Sequence, residues 1–271
     1  MPISLVARYF ETARGRAFGV YNAIKGSGYV IAPAAGGFLA NRYGFATIFI
    51  ASASMGLVAL VASLFLPSDP GERLEVDEEP SLRASLLIFR DPRLMPIYAV
   101  IVINMFLVGI LFGFLPVYVH GLGYSATHSG TVVSIATAAY LLIQPVAGVL
   151  ADRYAIRTTV LLGLLVAALS IMVITFASGW SLIVIVIAAG MGIGTVWTNS
   201  DALVSASASP SQLGASIGAA QSFKEFGDMV GPLLVGVLTQ FFGVRVGFVT
   251  CGAVAVVLLV VLARSPAFSA R

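Results

Sequence analysis

Apolar residues fill eight long segments of the chain, and short polar connections separate most of them. The segments cover residues 17–40, 46–66, 95–118, 128–150, 158–177, 180–200, 214–240 and 245–263. A helix needs roughly 20 mainly apolar residues to cross a membrane, and each segment is near that length. The sequence shows no sustained alternation of the kind that strands require, so helices remain the way to satisfy the backbone in lipid. The pattern predicts an all-α integral membrane protein, a polytopic bundle of eight transmembrane helices.

The composition agrees with this class of protein and argues against others. Hydrophobic residues make up 59% of the chain and charged residues 10%, with a mean hydropathy of +0.99, whereas a soluble domain is about 25% charged. The net charge of +3 is small and the basic residues are spread through the connections, so the sequence lacks the clustered basic face that binds nucleic acid. It also shows no nucleophile–base pairing and no metal-ligand cluster. We therefore expect no enzyme activity, no cofactor, no metal and no nucleic-acid partner.

One connection, residues 67–92, is longer than the others and rich in acidic residues. It divides the chain into two helices within 1–66 and a six-helix bundle within 93–271, and we interpret it as the linker between them. Its second half places Leu82, Leu86 and Phe89 on one helical face. That spacing suits a short helix in the membrane interface, and a solvated linker is an equally open interpretation.

The basic residues of the connections favour one side of the membrane. Only Arg42 and Arg245 fall on the opposite side from the termini and the 67–92 linker, which receive most of the others. Because basic residues are enriched in cytoplasmic loops, we expect both termini and the linker to lie in the cytoplasm. The predicted location is the cell membrane, with the lipid bilayer as a partner.

Residues 214–248 repeat residues 15–49 at an offset of 199 positions. The segments share glycine, lysine, proline, leucine and phenylalanine at nine aligned positions, the pairs being Gly15/Gly214, Gly19/Gly218, Lys25/Lys224, Gly28/Gly227, Pro33/Pro232, Gly37/Gly236, Leu39/Leu238, Gly44/Gly243 and Phe49/Phe248. A lysine repeated at one place in two apolar segments is hard to obtain from composition alone. The match predicts two structural repeats.

The second copy carries charges inside its apolar segment. An ionised residue near the bilayer centre costs roughly 2.5–3.5 kcal/mol on insertion scales. Lys224 and Asp228 are four residues apart and can pair on one helical face. One lysine neutralises only one acid, so the other needs Lys25, a lost partner, water or a proton. Glu225 and Asp228 have no acidic counterpart in the first copy, and we take them as candidates for proton coupling, with Lys25 and Lys224 as their intramembrane charge partners. A structural ion cluster is the alternative.

Four polar or amphipathic residues within the helices are further candidates for the lining of a cavity, although packing explains each one as well. They are Asn104, Gln144, Trp197 and Asn199. Asp201 lies near the cytoplasmic end of its helix, where we expect it to be solvated.

The sequence GVLADRYAIR at 148–157 closes the fourth helix and enters a turn. It resembles the G-x-L-a-D-r-x-G-r-[RK] signature of the major facilitator superfamily, and ordinary anchoring by basic residues is the alternative reading. The resemblance implies a gating latch between helices. Ala155 stands where the signature has glycine and Ile156 where it has a basic residue, so we expect a looser turn. The matching residues that carry the implied gate are Gly148, Asp152, Arg153 and Arg157.

The sequence GYVIAPAAGG at 28–37 resembles the fifth-helix motif G-x-x-x-G-P-x-x-G-G of the same superfamily, which is seen mostly in proton-coupled exporters. Gly28, Ala32 and Gly36 form a small-residue groove for another helix, and Pro33 permits a bend before Gly37. Ala32 replaces a usual glycine, and generic helix packing explains the same residues.

With these motifs the eight segments resemble helices five to twelve of that superfamily, and the fold it implies lacks its first four helices. The resemblance implies secondary transport of a small organic solute by alternating access, driven by an ion gradient, with protons as the favoured ion and efflux as the favoured direction. It also implies that the missing N-terminal helices are needed for a complete transporter. Uptake of a metabolite by symport is the first alternative. A truncated fragment, or a membrane sensor or scaffold without transport activity, is the second.

Overall fold

The computed structural model describes residues 14–65, 91–209 and 212–264, and it describes side chains from residue 26 onward. These residues form eight α-helices and one 3₁₀ turn, Ile174–Phe176, with no strand among them. The helices are α1 (Arg14–Tyr43), α2 (Phe45–Ser63), α3 (Met95–Gly121), α4 (Ala126–Tyr154), α5 (Ile156–Val173), α6 (Gly179–Ser207), α7 (Leu213–Phe242) and α8 (Val244–Ala263).

The eight helices occupy the eight predicted segments, which confirms the all-α fold. Several of them are longer than predicted, because apolar segments continue into polar helical turns at their ends. Six of the described helices are long and apolar enough to cross a membrane, namely α2, α3, α4, α5 with its 3₁₀ extension, α6 and α8. The two helices outside that set are α1 and α7, which contain most of the two segments repeated at an offset of 199 residues.

Helices α3 to α8 share one apolar core. Its fully buried side chains come from every helix of the group, as Leu107, Leu164, Val186 and Phe248 illustrate. Helix α1 packs against α4, whereas α2 packs against α1 and has no buried residue. The first two helices therefore attach to the six-helix group along one face of α4.

The 199-residue repeat is confirmed by the helix boundaries. Helix α7 begins and ends 199 residues after α1 begins and ends. Helix α8 likewise begins 199 residues after the start of α2. The single residues between the paired helices also match. Gly44 has φ 86° and ψ 162°, and Gly243 has φ 84° and ψ 160°. Each is a one-residue break in a left-handed conformation that glycine adopts without a steric penalty.

A third helix pair is joined in the same way, but by alanine. Ala155 separates α4 from α5 with φ 87° and ψ 128°, and it is the only residue other than glycine with positive φ among the described residues. The expectation of a looser turn here was therefore wrong. The break is as short as those at Gly44 and Gly243, and the strain is taken up by the alanine backbone instead.

Glycines mark the places where helices approach most closely. A methyl group on Gly130 of α4 would collide with the Pro33 carbonyl oxygen of α1 and would lie 3.1 Å from the Gly37 Cα. Polar groups reinforce this crossing, since the Ser134 hydroxyl accepts a hydrogen bond from the Ala34 amide at 3.0 Å. The α1–α4 contact is thus a backbone-to-backbone seam with little side-chain volume in it.

The three residues of the predicted small-residue groove, Gly28, Ala32 and Gly36, lie away from this seam. Within the described part of the chain, a methyl group on Gly28 or Gly36 would have no atom within 4 Å, and Ala32 is exposed. The seam therefore uses Pro33 and Gly37. The predicted linker at 67–92, with its interfacial helix, falls almost entirely on residues 66–90, which lie outside the described residues.

Candidate functional site

A cavity of about 1180 Å³ lies between the first two helices and the six-helix group. Residues of α1, α2, α3, α4, α6 and α7 form its walls. Apolar groups of α3, among them Val108, Phe112 and Pro116, form much of one side, and Pro33 and Gly37 of the α1–α4 seam border another. A space of this size is large enough for a small organic molecule.

Three carboxylates lie on the wall of this cavity, which is otherwise largely apolar. They are Asp201 of α6 and the adjacent pair Glu225 and Asp228 of α7. Sequence reasoning had selected the two acids of α7, and the structure brings both to the cavity wall. Glu225 also accepts a hydrogen bond from the Gln221 amide at 3.1 Å. The cavity therefore contains an acidic region where the C-terminal part of α6 meets the middle of α7.

Lys224 pairs with Asp201, not with Asp228 as its spacing suggested. The ammonium donates to both carboxylate oxygens of Asp201, at 2.7 and 2.8 Å. The side chain of Lys224 is only 6% exposed, whereas that of Asp201 is 50% exposed. Asp201 is exposed as expected, but it is also ion-paired, which the sequence did not indicate. It supplies the counter-charge that a buried ammonium requires.

Aromatic rings extend from this ion pair along the cavity. The Lys224 ammonium lies 4.9 Å from the centre of the Trp197 ring, within the range of a cation–π interaction. Trp197 meets Tyr140 edge-on at 5.8 Å, and Tyr140 meets Phe112 in the same manner at 6.4 Å. The Tyr140 hydroxyl also forms a hydrogen bond with the side chain of Gln144. The charged region is thus continuous with an aromatic wall.

The four predicted lining residues divide into two pairs. Gln144 and Trp197 line the cavity. Asn199 is buried between helices and donates to the carbonyl oxygens of Ala147 and Thr195, at 3.2 and 2.9 Å. Asn104 is also buried, and its side-chain oxygen has no hydrogen-bond partner among the described residues. Neither asparagine is among the residues that line the cavity.

The predicted gating residues lie at the α4–α5 turn. Asp152 and Arg153 are exposed at the end of α4, and Arg157 is half-buried in the first turn of α5. Among the described residues, no atom lies within 4 Å of a methyl group placed on Gly148. Lys25 lies on α1 one residue before the cavity-lining Gly26, and its side chain is outside the description.

Sequence reasoning missed Asp201 and Tyr140 as members of the site. Each lies one helical turn from a residue that it did select, because Asp201 follows Trp197 and Tyr140 precedes Gln144 by four positions. Residues at that spacing share a helix face. Extending the lining candidates by one turn in each direction would have found both.

Comparison with known proteins agrees with these features. The sequence profile of the Major Facilitator Superfamily matches the chain twice, over residues 1–139 and 120–270. Among curated proteins, the Multidrug resistance protein MdtG of Citrobacter koseri is 27% identical over 235 residues, which cover 84% of this chain and 58% of that protein. MdtG of Salmonella paratyphi B is 27% identical over 241 residues, and that of Salmonella arizonae 25% identical over 235, with the same shares covered. The chain spans somewhat more than half the length of these relatives, and it belongs to the Major Facilitator Superfamily.

Proposed function

We propose that this protein carries out secondary transport of a small organic solute, coupled to protons, and that it exports the solute across the cell membrane. The observation that supports this most directly is the cavity between α1 and α2 on one side and α3 to α8 on the other. Binding between two groups of helices is the arrangement that alternating access requires, since the groups can rock about a shared site.

The helix connections suit such a rocking movement. Each of the breaks at Gly44, Ala155 and Gly243 is one residue long, so the helices they join are closely coupled. The α1–α4 seam, by contrast, depends on small residues and a few polar contacts. In the proposal, α1 and α2 move against the six-helix group at this seam, with both termini in the cytoplasm.

The acids of α7 are the proposed coupling residues. Among the described residues, Lys224 is the basic residue hydrogen-bonded to a cavity acid, and its partner is Asp201. Glu225 and Asp228 then stand on the cavity wall without a share in that ion pair. A carboxyl group in a medium of low dielectric is stabilised by taking up a proton when no counter-charge is near. Proton binding and release there would accompany each transport cycle.

Export is favoured over uptake on two grounds. The relatives are named multidrug resistance proteins, and residues 28–37 resemble a motif seen mostly in exporters. In the proposal, Asp152, Arg153 and Arg157 at the α4–α5 turn act as a cytoplasmic gate. The solute is amphiphilic, because the aromatic wall and the acidic region of the cavity adjoin.

The test is transport by the purified whole protein reconstituted in liposomes. Accumulation of a fluorescent amphiphile or a metabolite is followed with and without an imposed pH gradient. Export predicts movement of the solute against the direction of proton flow, and symport predicts movement with it. Equal transport rates with and without the gradient would exclude proton coupling, and no transport of any tested solute under either gradient would count against a transporter.

A further inference from the structure

We infer that the cavity binds an organic cation, whose positive charge is held by Glu225 and Asp228 and whose apolar body lies against the aromatic wall. The inference deepens the proposed function by giving the solute a charge. It rests on the proposed function only for the statement that the bound cation is the transported solute, because binding itself is measured without transport.

The first argument is the balance of charge at the cavity. Three carboxylates border it, and among the described residues no lysine or arginine does. The buried Lys224 ammonium neutralises Asp201, which binds it with both carboxylate oxygens, and Glu225 and Asp228 take no part in that pair. Lys25 is the only other lysine of the chain, so the three cavity acids outnumber the lysines. A cleft with such an excess of negative charge attracts cations and repels anions.

The second argument is that the protein already holds one organic cation at this wall. The Lys224 ammonium is bound by the carboxylate of Asp201 and lies 4.9 Å from the centre of the Trp197 ring. A carboxylate and an aromatic face thus stabilise the same charge. The other two carboxylates of the wall, both on α7, lie close to this pair, and the Tyr140 ring meets Trp197 edge-on at 5.8 Å. The same two kinds of group are therefore available to a cation that enters from the cavity.

The third argument is the aromatic character of the wall. Five helices each contribute one aromatic residue to it, namely Tyr29, Phe45, Phe112, Tyr140 and Trp197. The face of an aromatic ring is electrically negative, so rings that cover the apolar body of a solute also stabilise its positive charge. An aliphatic wall would cover the same apolar surface without preferring a cation.

The fourth argument comes from the prolines inside the described helices, which are Pro33, Pro116, Pro145 and Pro232. A proline has no N–H, so the carbonyl oxygen four residues before it loses its donor within the helix. The residues at those positions all border the cavity, and they are Tyr29, Phe112, Leu141 and Asp228. Each proline therefore adds a backbone acceptor, and no donor, close to the cavity. The partial negative charge of these oxygens adds to that of the acids.

Tetraphenylphosphonium and tetraphenylborate test the inference, because the two ions have the same shape and opposite charges. Binding of each ion is measured separately by equilibrium dialysis, with the purified whole protein in nanodiscs, and the binding to empty nanodiscs is subtracted. The inference predicts saturable binding of the cation and none of the anion.

Substitution of the acids locates the charge. Glu225→Gln/Asp228→Asn should weaken binding of the cation about tenfold or more, because it removes two negative charges from a wall of low dielectric. Asp91→Asn is the matched control. It removes a carboxylate that lies outside the cavity and accepts a hydrogen bond from the Arg93 amide near the start of α3, and it should leave the affinity unchanged.

The aromatic wall has its own pair of variants. Tyr140→Phe keeps the ring and should keep the affinity for the cation within about twofold, whereas Tyr140→Leu removes the ring and should weaken binding several-fold. These single substitutions also decide the inference if the double acid variant does not fold.

Several results would overturn the inference. They are equal affinities for the anion and the cation, an absence of saturable cation binding, and an acid variant that binds the cation as tightly as the parent. Equal affinities of Tyr140→Phe and Tyr140→Leu would do the same. The liposome assay is separate. Cation-selective binding without transport would sustain the site and remove the proposed function, whereas transport without a preference for the cation in binding would do the reverse.

Discussion

Gly37 of α1 and Gly130 of α4 meet with no side chain between them. A methyl group on either glycine would collide with the backbone of the other helix and would lie 3.1–3.2 Å from the facing glycine Cα. The close crossing is therefore possible because neither helix has a side chain at this point. It sets the distance between the two groups of helices that enclose the cavity, α1 and α2 on one side and α3 to α8 on the other.

The first prediction concerns this crossing. Gly130→Ala should destabilise the folded protein by about 1–3 kcal/mol, because the methyl group meets backbone atoms that cannot rotate away. Thermal unfolding in detergent micelles measures the change. Gly36→Ala, beside Gly37 but with no atom within 4 Å of its methyl group among the described residues, is the matched control. Equal melting temperatures for the two variants would contradict the close approach.

The second prediction concerns the one-residue helix breaks. Ala155→Gly should stabilise the protein by about 1 kcal/mol, since relief of a positive-φ strain of about 1–3 kcal/mol exceeds the entropic cost of glycine, about 0.5–1 kcal/mol. Gly44→Ala and Gly243→Ala place alanine in nearly the same conformation and should lower stability. Thermal unfolding of the three variants decides this, and a lower melting temperature for Ala155→Gly than for the parent would refute it.

The third prediction concerns the polar part of the α1–α4 seam. Ser134→Ala removes the acceptor of the Ala34 amide hydrogen bond and should cost about 1 kcal/mol, the usual net worth of such a bond. Ser54→Ala is a suitable comparison, because Ser54 is exposed and bonds only a carbonyl oxygen of its own helix. We expect Ser54→Ala to change the unfolding temperature less. The reverse order would show that the seam hydrogen bond contributes nothing.

The fourth prediction concerns the Lys224–Asp201 ion pair. Asp201→Asn leaves the buried Lys224 ammonium without its charged partner and should lower the free energy of unfolding by about 3 kcal/mol, the low end of the cost of breaking a buried pair, because Asp201 is half exposed. Asp201→Asn/Lys224→Met removes both charges and should cost less than Asp201→Asn alone. The free energies of unfolding of the two single variants and the double variant are measured in a double-mutant cycle, and additive effects would mean that the pair contributes nothing.

The fifth prediction concerns the acids selected from the sequence. At least one of Glu225→Gln and Asp228→Asn should abolish the response of transport to a pH gradient, because each removes a carboxylate from the cavity wall. Rates in liposomes are measured with each variant alone, and Asp91→Asn serves as the control outside the cavity. If both variants respond to the gradient like the parent, neither acid carries the proton.

Much of the fold follows from the sequence because the membrane imposes a simple rule. Long apolar segments must form helices to satisfy their backbone groups, and all eight were found. The repeat was also visible, since residues such as Pro33 and Pro232 recur at one offset. Gly44 and Gly243 are aligned in the repeat, and in the structure they adopt the same positive-φ conformation.

The pairing of the charges could not be predicted in the same way. The four-residue spacing along α7 suggests that Lys224 pairs with Asp228. Spacing along one helix does not show which residues of different helices come into contact. The contact with Asp201 depends on how α6 and α7 are rotated and displaced against each other, which small residues at several crossings determine together. The positive φ of Ala155 could not be predicted either. Glycine normally adopts this conformation, and an alanine side chain gives no indication of it.

The one-residue breaks also bear on how the chain enters the bilayer. Helices α1 and α7 fall outside the set apolar enough to cross a membrane by composition alone, whereas α2 and α8, which follow them after a single glycine, have mean hydropathies of 2.2 and 2.8. A linker that short leaves the two helices of each pair no room to separate widely during synthesis. We therefore expect each pair to enter the membrane as one helical hairpin, in which the apolar second helix carries the more polar first helix across.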